Sequence, residues 1–191
     1  MRNSKRLRHD NMREILKNQP FLTDEEIAGL LACSIQTIRL DRVEMGIPEV
    51  RERIRKTALE INKDVRAIAT SELVGELIDL ELGHSAISIM LVSEDMLAVH
   101  SGVVRAYSLF AQANSLALAV IDAPAAVTGV ANIKYRAPVK MLDKIVAKAE
   151  VNGIRGDKYF ITVRSRVDSK EVFKAKFILV SRSVNMPRGV D

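Results

Sequence analysis

The chain has a single cysteine, Cys33, in 191 residues. That excludes an intrachain disulfide and any zinc cluster built on thiolates. Histidine is nearly as scarce: His9, His84 and His100 are too scattered to suggest a metal centre, and no metal is expected. Glycine and proline number only 9 and 5, and with 48% hydrophobic and 28% charged residues the composition is that of a folded chain. No apolar run is long enough to span a bilayer, and no charged-then-apolar leader opens the chain. The expectation is a soluble, cytoplasmic protein with no membrane partner. The 29 Lys and Arg against 24 Asp and Glu give a net charge of +5, compatible with nucleic acid or an anionic ligand and diagnostic of neither.

What is present changes character near residue 70. Before it, apolar residues recur at helical spacing among dense charges; after it, β-branched residues and alternation take over, with one helical interruption. The expected class is α+β, in three parts: 1–48, 49–69 and 70–191. In the first part, Leu7, Met12, Ile15 and Leu16 mark a helix over 5–18, ended by Pro20. Thr23 and Glu26 form a capping box for a second helix, with Ile27, Leu30 and Leu31 facing inward. Ser34 caps a third helix carrying Ile35, Ile38 and Met45, stopped at Gly46 and Pro48. Over 49–69, Val50, Ile54, Ala58, Ile61, Val65 and Ile68 repeat at four-and-three spacing, with Arg51, Arg53, Arg55, Lys56, Lys63 and Arg66 on the other faces. That predicts one amphipathic helix whose stripe must dock on something.

Strand-like alternation follows over 73–82, 85–92, 127–135, 144–151, 159–167 and 172–180, with a turn near Gly83 and turn-rich links at 152–157 and 168–171. Residues 101–121 read as one buried helix. Strands, one buried helix and four long strands suit a curved antiparallel sheet wrapped around a central helix. This is the hotdog arrangement, which normally pairs two subunits into one continuous sheet.

Residues 23–45 have the spacing of a helix-turn-helix: a capped helix, a short turn and a second helix. Gln36, Thr37, Arg39 and Arg42 lie away from Ile35 and Ile38. Glutamine pairs bidentately with adenine and arginine with guanine, while Ser34, Thr37 and the helix-start amides suit a phosphate. The same run also fits a solvated helical face in which Asp41 pairs with neighbouring arginines.

In the second half, Arg105, Gln112 and Asn114 interrupt a helix that is otherwise apolar. A buried guanidinium without a partner is costly, so either a protein carboxylate or an anionic ligand must meet Arg105. An acyl-CoA thioesterase, the enzyme alternative on this fold, needs a carboxylate general base on or near the helix. None occurs between Asp95 and Asp122, and the amide of Asn114 cannot replace one. Binding without turnover is the favoured reading, and no catalytic residue is assigned.

Four runs in order, NQPFLTDEEIA (18–28), SIQTIRLDR (34–42), GIPEVRERI (46–54) and LFAQANSLA (109–117), resemble the FapR family, regulators of fatty acid and phospholipid biosynthesis. The resemblance implies a homodimeric repressor with a winged-helix-like DNA-binding part and a hotdog part. It implies release from a palindromic operator by malonyl-CoA or the malonyl carrier-protein form, with no other cofactor. It also implies that the 49–69 helix moves between two docked states. Arg105 matches the arginine that meets the malonyl carboxylate, and Asn114 the asparagine near the acyl end. Leu109, Phe110, Gln112 and Ser115 share the ligand-binding run. Ala106, Tyr107 and Ser108 depart from the family's Gly-His-His, and Ala98 stands where an aromatic is usual, so ligand choice is the property these departures affect.

Overall fold

The computed structural model describes residues 5–182; the outermost parts of the expected domains, 1–4 and 183–191, lie outside the described residues. The chain divides into two compact units between Thr57 and Ala58. The first is helical: α1 (Lys5–Asn18), α2 (Asp24–Leu31), α3 (Ile35–Glu44) and the start of α4 (Val50–Ile61). Met12, Ile27, Ala28 and Ile38 form its core, with Leu16, Leu22, Leu31, Cys33, Met45 and Ile47 packed around them. Leu30 does not face inward as expected: it is exposed, because Leu31 takes the core position one turn after Ile27. Among the described residues of this unit there is no strand, so the winged part of the expectation is not met. Only five residues, 45–49, join α3 to α4, too few for a hairpin of two strands and a turn.

The long amphipathic helix expected over 49–69 is also shorter. α4 stops at Ile61 and is followed by a 3-10 turn, Asn62–Asp64, after which Val65 is extended. Asn and Asp compete with the helix for backbone hydrogen bonds, and the Val65 N–H turns back to the Asn62 carbonyl. Ile61 and Val65 still bury their side chains, against the core of the second unit, to which both belong.

That second unit is one antiparallel sheet around one helix. The strands are β1 (Glu76–Glu81), β2 (Ser85–Leu91), β3 (Ala125–Tyr135), β4 (Lys144–Arg155), β5 (Lys158–Val167) and β6 (Lys170–Arg182), in spatial order β1-β2-β4-β5-β6-β3. The helix, α5 (Ala106–Ala119), packs Leu109, Ala113, Leu116 and Ala117 into a core with Ile145, Ile161, Phe173 and Phe177. This is the hotdog arrangement. The helix begins five residues later than the sequence pattern suggested. Gly102, at φ +65°, turns the chain, and Leu97 and Val104 pair across it before the helix opens. The expected turn at 152–157 narrows to Gly156-Asp157, with the strands running past Asn152 on a register shift near Gly153.

Strand pairing lines up Lys134, Lys174, Arg164 and Lys148 directly across four strands. Glu171 reaches Arg164 at 3.6 Å and Glu150 reaches Lys148 at 2.8 Å; among the described residues no acid pairs with Lys174. Like charges directly opposite one another destabilise a sheet. Lys174→Thr is therefore expected to raise stability by about 0.5 kcal/mol, a gain that shrinks in thermal melts at high salt.

Candidate functional site

In the helical unit, the α2–α3 turn is fixed by caps at both helices. The Glu26 amide donates to Thr23 Oγ1 at 3.2 Å, and the Thr23 amide donates to the Glu26 carboxylate. Ala32 sits in the left-handed region and closes α2. Ser34 Oγ then accepts from the Thr37 amide at 3.1 Å and lies 2.9 Å from Thr37 Oγ1. Gln36 and Arg39 project from the exposed side of α3, with Arg39 only 3.7 Å from Asp24. Ser34, Gln36, Thr37 and Arg39 thus lie on one accessible end of the helix.

Arg42, expected beside them, is turned inward and only 5% exposed. Its guanidinium donates to Asp24 at 3.0 Å and to the Ile47 carbonyl at 3.1 Å, so it ties α3 to α2 and to the following loop. Asp41 also departs from expectation. It pairs not with neighbouring arginines but with Arg8 and His9 of α1, the latter at 3.1 Å. The Arg8 hydrogen bonds hold its carboxyl below the usual carboxylate range, with His9 adding to the effect and burial opposing it. Ligand atoms of His9, Asp41 and Glu44 lie within 4.8 Å of one another, a proximity invisible in the sequence. Arg8 and Lys5 already neutralise the two carboxylates, which disfavours a metal there.

Arg53 was legible only as one basic residue among many. Its guanidinium donates to three carbonyls, Pro20 at 2.8 Å, Leu22 at 2.6 Å and Pro48 at 2.5 Å. Burial pushes its pKa down from the ordinary value, though a guanidinium stays protonated in proteins. It clamps the start of α4 to two loops of the helical unit.

In the sheet unit, Arg105 is not lodged within the helix but precedes it, half-buried, in extended conformation at the N-cap. Its Nη1 donates to the Asp95 carbonyl at 2.8 Å and to the Tyr107 hydroxyl at 3.1 Å. No carboxylate of the described residues pairs with it, so its charge is uncompensated. Next to it, a cavity of about 370 Å³ is lined by Val104, Ala106, Leu109, Tyr135, Arg136 and Pro138, among others. The Tyr135 hydroxyl donates to the Ala106 carbonyl at 3.0 Å across this space, and burial raises its pKa. Tyr135 and Arg136 were missed in the sequence, where Tyr135 read as a strand end and Arg136 carried no assignment.

The other candidates divide by flank of α5. Phe110 and Asn114 face the β3/β6 side: Phe110 meets Phe177 at 6.1 Å between ring centroids, and Asn114 Oδ1 accepts from Thr128 Oγ1 at 2.7 Å. Gln112 and Ser115 are turned the opposite way. Gln112 is fully buried and donates to Ser88 Oγ at 3.1 Å; Ser115 Oγ accepts from the Val74 amide at 3.0 Å. Both tie α5 to the β1–β2 side of the core and do not join Arg105.

A Transcription factor FapR from Caldanaerobacter subterraneus subsp. tengcongensis is 54% identical over 181 residues, covering 95% of this chain and 90% of that protein. One from Bacillus subtilis is 43% identical over 180 residues, covering 93% and 96%. The chain belongs to the FapR family. No family model matches it. Among solved structures, an uncharacterized protein from Pyrococcus horikoshii is 27% identical with a TM-score of 0.56, covering 60% of this chain and 88% of its own.

The positions expected to affect ligand choice, Ala98 and 106–108, sit around Arg105. Ala106 lines the cavity and puts a methyl on its wall. Tyr107 supplies the hydroxyl that holds the guanidinium. Ser108 is buried in the first turn of α5. Ala98 donates its amide to the Val103 carbonyl at 2.8 Å in the turn that leads to Arg105. No helix among the described residues is long and apolar enough to cross a membrane.

Proposed function

We propose that this chain is a cytoplasmic repressor of fatty acid and phospholipid synthesis genes that binds a palindromic operator as a homodimer and is released by malonyl-CoA or its carrier-protein form. The observation that carries the effector half is Arg105: a cation with only neutral partners beside a cavity whose wall is mostly apolar, with Tyr135 and Arg136 its polar members. Such a group gains most from an anion that arrives with the ligand. The DNA half rests on the capped α2–α3 pair and the exposed Gln36 and Arg39.

Pairing of two copies is supported by β3, an edge strand with exposed Val127, Val130, Ile133 and Tyr135. An apolar edge of this length invites a second strand. α4 belongs to both units, its last residues lying beyond the Thr57–Ala58 division, so it is the element through which the two sites communicate. The effector shifts the DNA-binding equilibrium only by its differential affinity for the two states, on the order of 1–3 kcal/mol. Turnover of an acyl-CoA has no support, because α5 carries no carboxylate to serve as general base.

The decisive experiment titrates malonyl-CoA, acetyl-CoA and CoA into the protein–operator complex. Malonyl-CoA should release DNA at far lower concentration than the other two, since only it carries a free carboxylate on the acyl group. Equal potency of all three would overturn the role of Arg105. Arg39→Ala should weaken specific DNA binding by about 10- to 100-fold, the worth of one bidentate base contact, while ligand binding persists.

A further inference from the structure

We propose that Leu40 and Val43 are specificity residues that read thymine methyl groups, so that each half-site pairs an adenine with neighbouring thymines. This rests on the DNA-binding reading of α3 given above. On α3, Gln36, Leu40 and Val43 follow i, i+4, i+7 spacing and form one strip. The opposite side of the helix buries Ile38, Asp41 and Arg42. Leu40 is 63% and Val43 70% exposed, so neither serves the core.

The strip itself is uncharged. Arg39 flanks it on one side, and Glu44, paired with Lys5 at 2.5 Å, flanks it on the other. Valine is a poor helix former, and an exposed apolar pair contributes nothing to solubility, so this composition asks for an apolar partner. Within the major groove the apolar feature is the C5-methyl of thymine, and the amide beside it in the strip, Gln36, matches adenine. From residue 36 to 43 the helix advances about 10 Å, which spans about three base-pair steps. The thymines should therefore lie within about three base pairs of the adenine that Gln36 contacts. A second protein copy is a poorer occupant, because two side chains fall far short of the roughly 1,000 Å² that a specific protein interface buries.

The test uses the full-length protein and duplexes that it enriches from a random pool, with binding followed by fluorescence anisotropy. Each thymine is replaced in turn by deoxyuridine, which deletes only the methyl. One or two replacements per half-site should weaken wild-type binding about fourfold, the worth of one buried methyl. Leu40→Ala and Val43→Ala should each bind the thymine duplex less tightly by a similar factor, each lose the penalty at its own thymine, and melt like wild type. The proposal is overturned if deoxyuridine is without effect at every position, or if its penalty survives in both variants. It is also overturned if the variants change oligomeric state in light scattering while keeping wild-type thymine discrimination. Failure to enrich any sequence from the pool would instead bring down the DNA-binding reading itself.

Discussion

Arg105→Ala is expected to hold operator DNA as tightly as the wild-type chain and to need about 100-fold more malonyl-CoA for release, the scale of losing a charge-assisted contact to a carboxylate. The native cost of the substitution is small. Arg105 makes no side-chain cap to α5, and its two partners are a carbonyl and an exposed tyrosine hydroxyl, both able to turn to water. What the alanine removes is the charge, and that charge has no carboxylate counterpart among the described residues. Arg105→Lys should fall between the two, since an ammonium keeps the attraction but loses the planar fork that grips a carboxylate in two places. Acetyl-CoA should bind wild type and Arg105→Ala alike, because its acyl group has no carboxylate for the guanidinium to meet. Release of Arg105→Ala at the wild-type malonyl-CoA concentration would show that the carboxylate is met elsewhere, with Arg136 at the same cavity the next candidate.

The elements were legible where a periodic pattern had both ends punctuated. Thr23 and Glu26 announced the start of α2, and the observed capping box is the predicted one. The four long strands followed alternation, and their limits moved by no more than two residues except at the end of β4, which continues past Gly153 through a segment rich in turn residues. What the sequence could not show was direction. Helical spacing placed Arg42 with Gln36 and Arg39, yet the position of Asp24 on the neighbouring helix draws it inward. Gln112, Asn114 and Ser115 are near neighbours in sequence, but successive helical residues are about 100° apart, and the sheet meets them on different flanks. The start of α5 was misjudged for a related reason. Val103 and Val104 continue the apolar pattern of the helix, but the left-handed Gly102 turns the chain and both valines are taken up in β-bridges, with Lys140 and Leu97. Tyr135 and Arg136 reach the cavity through the pairing of β3 with β6, a long-range register with no local signal.

The second large effect is expected at Asp41, 3% exposed between α1 and α3. Removing one member of a buried ion pair leaves the other uncompensated, a loss of about 3–5 kcal/mol when both are fully enclosed. Arg8 keeps some contact with water, so Asp41→Ala is placed at about 2 kcal/mol, below that range. For a helical unit whose core is the small cluster of Met12, Ile27, Ala28 and Ile38, that is a large share of its stability. Melting should separate into two steps, the helical unit first and the sheet unit unchanged, and specific DNA binding should be lost while malonyl-CoA still binds. The pH dependence follows from the same pair. The folded carboxyl is held below its ordinary pKa, chiefly by Arg8. Its contribution is therefore complete above the unfolded value of about 3.9 and is lost as pH falls through the folded value. Wild type should show an acid-induced loss of α-helix in that window by circular dichroism, and Asp41→Asn should lack that component. Arg8→Ala should weaken the unit as well, but the double variant should be more stable than the two single losses added together, because the same interaction is then removed only once. Full additivity would mean that the α1–α3 contact depends on packing around Met12 and Ile38 and not on this charge pair.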